Sequence, residues 1–149
     1  MLLSKNQGSH VVFEVDRPVP GGPSLFQRFF ISFDAMIQGF MGGCRPFIGL
    51  DGCFMKNGTS GVILSSVSRD VNDQIFPLVF PVAESENKET WVWFLTQLTE
   101  CIGISYGLKC TFISDGQKVN LFSSYIKLMS LQVYAIVLHT SITVFYMML

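Results

Sequence analysis

Charge is scarce in this 149-residue sequence. Asp, Glu, Lys and Arg make up 14% of it, against about 25% in an average soluble domain. The 10 basic and 11 acidic residues leave a formal charge of −1. That balance argues against a globally basic nucleic-acid binder, so any contact with a polyanion has to use a local patch. Histidine is rarer still, with only His10 and His139, and Cys44, Cys53, Cys101 and Cys110 form no C-x-x-C pair. A zinc site is disfavoured on both counts, and the four thiols read as reduced, small hydrophobes. The opening residues, Met1 to Gly8, are too short and polar for a signal peptide. Asn57-Gly58-Thr59 therefore reads as a tight turn rather than a glycosylation site, and the chain as intracellular. Nothing acidic follows Asp115, and nothing charged follows Lys127.

Apolar residues are abundant: 49% of the chain is hydrophobic, with 14 phenylalanines. At this length that is enough for one domain with a real core. The chain is organised around Pro46 to Lys56, a short apolar run with Asp51 set inside it and a glycine on each side of Leu50-Asp51. Such a run, bounded by Pro and Gly, predicts a buried strand. A carboxylate there is costly unless it is paired or binds metal. Cys110 to Gly116 repeats the design, with an apolar run that ends in Asp115 and Gly.

Around these two runs the pattern predicts further elements. Val11 to Val15 reads as a strand, the Pro- and Gly-rich 17–24 as a loop, and Leu25 to Phe33 as a second strand. Asp34 is placed to cap a short helix running to Met41, with Gly42-Gly43 as its stop. The Asn-Gly step within Lys56 to Gly61 turns the chain into a hairpin whose return strand is Val62 to Ser68. A third strand, Ile75 to Ala83, contains Pro77 and Pro81, which cannot donate ladder hydrogen bonds; the expectation is a sheet edge. The clearest helix follows. Glu84, Glu86 and Glu89 crowd its start, where the dipole favours negative charge, with Ser85 or Asn87 as cap. Trp91, Phe94, Leu95, Leu98 and Ile102 keep helical spacing, and Gly103 ends it. This stripe reads as a core face on the sheet. Ser105 to Lys109 reads as a loop.

The fold expected is α/β: a three-strand antiparallel meander, a crossover helix, and a fourth strand parallel to the first. The right-handed crossover places that strand beside the first, away from the hairpin. Asp51 and Asp115 then converge at the rim where open α/β sheets hold their sites. Two such carboxylates suit Mg2+ or Mn2+, hard cations that prefer oxygen. In two-metal phosphoryl transfer the ions sit about 4 Å apart and activate the attacking and leaving oxygens. Asp51 would bridge the ions and Asp115 would be a second ligand; a third acid is needed. Read from spacing alone, the pair is equally a strand-end and a turn carboxylate bonded by backbone.

Three blocks carry a family resemblance: Cys44-Arg-Pro-Phe-Ile-Gly-Leu-Asp51-Gly-Cys53, Glu84 to Leu95, and Phe112-Ile-Ser-Asp115-Gly-Gln-Lys118. In this order and spacing they resemble Mutator-like (MULE) transposases over roughly Phe26 to Lys118. The resemblance implies a ribonuclease-H-like fold and an Asp-Asp-Glu site holding Mg2+ or Mn2+. It also implies DNA partners at the ends of a mobile element, action in the nucleus, and cleavage and strand transfer. Asp51 and Asp115 match the first two acids, as catalytic residues and metal ligands. Glu86 is family-like too, but a helix-start charge accounts for it.

The family's third acid lies further on, and here none follows. The expectation is therefore a truncated, inactive core, divided into a flanking segment 1–43, the core 44–118 and an apolar tail 119–149. Lys118-Val119-Asn120 can be encoded by a splice-donor sequence, so the tail reads as translated intron or a shifted frame. Two alternatives stay open. One is a non-catalytic, domesticated fragment that binds DNA, an intact transposase or a second copy of itself. The other is a tail-anchored membrane protein, since Leu128 to Leu149 is long enough to span a bilayer. A buried fifth strand at Gln132 to Leu138 suits the same residues.

Overall fold

The computed structural model describes residues 5–56, 61–103, 110–115 and 134–138. The turn at Asn57-Gly58-Thr59, the loop Ser105 to Lys109 and most of the tail lie outside them. Strands β1 (His10–Asp16) and β2 (Leu25–Ser32) form an antiparallel ribbon. Helix α1 (Asp34–Gly43) leads to β3 (Phe47–Phe54), which returns as β4 (Val62–Arg69). Next come β5 (Ile75–Val79), β6 (Val82–Ala83), helix α2 (Lys88–Ile102), β7 (Thr111–Asp115) and β8 (Tyr134–Leu138). All eight strands join one mixed sheet in the order β1-β2-β6-β4-β3-β7-β8, with β5 paired to β4. The meander and the crossover appear as the sequence predicts, and β7 lies parallel to β3 on the side away from β4.

Helix α2 forms where its cap, stripe and stop all agree. The Asn87 side chain accepts the Thr90 N–H at 2.9 Å, so Asn87 rather than Ser85 is the cap. Gly103 ends the helix at φ 70°, a left-handed conformation suited to glycine, and its N–H reaches the Thr99 carbonyl at 3.0 Å. Trp91, Phe94, Leu95, Leu98 and Ile102 are all buried. They share one core with Ile48 and Leu50 of β3, Val62 and Leu64 of β4, Phe30 of β2 and Phe112 of β7. A polar clamp ties the β1–β2 ribbon to the same helix. Glu14 takes the Arg28 guanidinium at 2.6 Å and the Trp93 indole N–H at 2.8 Å, while Arg28 stacks 5.0 Å from the Trp93 ring.

Three expectations change. Ile75 to Ala83 is not one edge strand. It breaks at Phe80-Pro81, and β6 sits inside the sheet between β4 and β2. Pro81 has no N–H to give, but its carbonyl accepts the Leu64 N–H at 2.9 Å, which keeps the broken strand on β4. Pro77 lies in β5, which pairs with β4 alone. Asp34 does not cap α1 but is its first residue, with Phe33 in the cap position; the Asp34 N–H instead donates to Ser9 Oγ at 3.2 Å. Gly42 and Gly43 continue that helix, which ends when the Cys44 N–H bonds to the Phe40 carbonyl.

Within the apolar tail, Tyr134–Leu138 pairs in parallel with β7, so a strand stands inside the stretch that could have been one continuous membrane-spanning helix. Among the described residues, no helix is long and apolar enough to cross a membrane.

The cysteines differ in access: Cys110 is buried, Cys44 and Cys101 are half-buried, and Cys53 is exposed. Burial pushes Cys101 and Cys110 up from 9.0 to about 11. The folded chain therefore holds these two protons more tightly than the unfolded chain. Their contribution to stability is intact below pH 9 and should fall as pH rises toward 11. At pH 8 a thiol-specific chromogenic reagent should modify Cys53 rapidly, with Cys101 and Cys110 reacting only in denaturant. Equal rates at all three would contradict this packing.

Candidate metal-binding carboxylate site

The sheet gives Asp51 and Asp115 their relation. In the parallel ladder Phe47 pairs with Thr111, Ile48 with Phe112 and Gly49 with Ile113. Two residues further along each strand stand Asp51 and Asp115, at the same level on neighbouring strands, where strand spacing is about 4.8 Å. Side chains alternate between faces of a strand, so both carboxylates share the face of Gly49 and Ile113. Ile48, Leu50 and Phe112 point to the opposite face and are buried in the core. Both aspartates are half-buried. Asp115 is the last residue of β7, and Asp51 lies within β3 just past the last β3–β7 pair, Gly49 with Ile113, on the side of the sheet rim where open α/β sheets place ligands.

The immediate surroundings of Asp51 are polar. Its Oδ1 accepts the Gly52 N–H at 2.8 Å. Ser65 faces it from β4, and the Ser65 hydroxyl donates to the Asp51 carbonyl at 3.4 Å. One of three serines in β4, Ser65 gives no sequence signal of its own, and only the hairpin register makes it a neighbour of the site. Cys53, the next residue on the same face of β3, is exposed.

Glu86 does not join the two aspartates. A Cβ built on Gly52 would meet its carboxylate at 3.0–3.3 Å, and Gly52 faces away from Asp51. There Glu86 Oε1 accepts the indole N–H of Trp91 at 3.1 Å. Two carboxylates of hard oxygen character are a donor set that fits Mg2+ or Mn2+ and lacks the nitrogen and sulfur that zinc prefers. Among the described residues no group of three or more His, Cys, Asp or Glu is placed to hold a metal ion.

A family model, the MULE transposase domain, matches residues 47–125, more than half of the chain. The chain belongs to that family. The match opens on the first residue of β3 and takes in β4 to β7, with Asp51 and Asp115 both inside it. This MULE match also runs beyond Lys118 to residue 125, so the likeness does not stop at Lys118, as the three blocks alone suggested. No curated protein and no solved structure matches the chain.

Proposed function

We propose that Asp51 and Asp115 are the first two metal-binding acids of a transposase catalytic domain of ribonuclease-H-like design, whose family chemistry is cleavage and strand transfer at the DNA ends of a mobile element in the nucleus. The observation that carries this reading is their placement: the same level and the same face of adjacent parallel strands, just past the last β3–β7 pair. Bound Mg2+ or Mn2+ would polarise the scissile phosphate and activate the attacking oxygen. Asp51, between β4 and β7, and Asp115 would be the residues that hold the metal, as the first two of the family's three acids. The Gly52 N–H holds Asp51 Oδ1 and fixes how that carboxylate faces its neighbour.

Two acids are one short of the family's triad, and no Asp or Glu follows Asp115 in these 149 residues. The second reading follows from that observation: on its own the chain binds DNA ends, an intact transposase or another copy of itself, without strand transfer. Mn2+ titration by water-proton relaxation tests the site. Wild type should bind, Asp51→Asn should weaken binding by at least roughly tenfold, and Asp115→Asn should do the same. Binding indifferent to both substitutions would sink the metal site. Mn2+-dependent nicking of a labelled duplex by the purified chain would instead sink the claim that it is inactive alone.

A further inference from the structure

We infer that Glu86 is a positioning residue for Asp51, acting through the backbone of Gly52 from the opposite face of the sheet. The inference rests on the reading of Asp51 as a metal-binding acid and adds a residue that reading does not use.

Three contacts form a continuous strut. The Trp91 ring is buried in the core, so its indole N–H has one fixed direction, and it donates to Glu86 Oε1 at 3.1 Å. The pinned carboxylate lies against the β3 backbone. A Cβ at position 52 would stand 3.0 Å from Oε1, 3.2 Å from Cδ and 3.3 Å from Oε2, so any larger residue would press the Glu86 carboxylate away by a few tenths of an ångström. The N–H of that same glycine donates to Asp51 Oδ1 at 2.8 Å. The peptide that orients Asp51 is thus braced from below by a side chain that the crossover helix holds in place. Outer residues of this kind set the angle and basicity of a metal ligand without touching the ion. A helix-start charge needs none of this, because Asn87 already caps α2.

The test uses two readouts on the full chain: Mn2+ affinity by water-proton relaxation, and the Gly52 amide proton shift in the metal-free chain. Glu86→Ala should weaken Mn2+ binding roughly tenfold and move the Gly52 resonance in the direction that Asp51→Asn moves it. Glu86→Gln, which keeps an acceptor of the same size, should restore both. Trp91→Phe keeps an aromatic ring, though a smaller one, and removes the donor. It should shift Gly52 as Glu86→Ala does, and it serves if Glu86→Ala does not fold. If Asp51→Asn moves both readouts and Glu86→Ala moves neither, the inference is overturned. Glu86→Gln behaving like Glu86→Ala overturns it as well. If wild type binds no Mn2+ while Glu86→Ala still moves Gly52, the metal site fails and the positioning role stands.

Discussion

Phe94→Ala should cost about 3–5 kcal/mol of stability, the range for emptying a large aromatic site in a core. Phe94 is fully buried, with its ring 5.7 Å from Trp91 and 6.5 Å from Phe30. It therefore joins the crossover helix to the β1–β2 ribbon as well as to the central strands. Removing it leaves a void between rigid rings that cannot close, and a domain of this size holds only about 5–15 kcal/mol in total. Urea unfolding followed by tryptophan fluorescence would read the change as a lower midpoint at an unchanged slope. Phe54→Ala is the matched control: Phe54 is 64% exposed near the end of β3, and its loss should stay within about 0.5 kcal/mol. Equal costs at the two positions would mean that α2 does not pack on the sheet through Phe94.

The second large effect sets neighbouring residues against each other. Leu50→Asp should prevent folding, with a loss beyond about 4–5 kcal/mol, whereas Asp51→Leu should leave the chain folded. Leu50 is 1% exposed within the core under α2, and a carboxylate there would be desolvated without a cation or donors to compensate. Asp51 faces the other way and is only half-buried; a leucine at that position suits strand structure and removes a charge near Asp115. Far-ultraviolet circular dichroism on heating separates the two variants directly. A cooperative melt for Leu50→Asp, or its absence in Asp51→Leu, would show that the two faces are assigned the wrong way round.

What could be read from the sequence was what local chemistry decides. The α2 stripe, a cap narrowed to Ser85 or Asn87, and the Gly103 stop all lie within a few residues of the backbone groups they satisfy. The handedness of the crossover then placed β7 beside β3, and Asp115 followed Asp51 onto one rim. The errors share a different cause. Ser9 takes the N–H of Asp34 across the open end of the β1–β2 ribbon, 25 residues away in sequence, and no window around Asp34 contains that partner. Pro77 and Pro81 signalled missing donors correctly, but they could not show that β2 would dock on β6. The same holds within the site. The carboxylates announced themselves by sitting in apolar runs, while Ser65 and the packing of Glu86 against Gly52 arise only once the sheet register is set.

Asp51 stands in a strand with neighbours hydrogen-bonded on both sides, β4 on one and β7 on the other. The backbone of this central strand should therefore be among the last to open in native-state hydrogen exchange, whose slowest amides report near-global unfolding. Whatever binds at this rim meets a surface with almost no slack. The geometry there is set once, when the chain folds, because Asp51 is held by its pairing with Ser65 on β4 and Asp115 by its pairing with Leu138 on β8, and adjustment falls to the visitor.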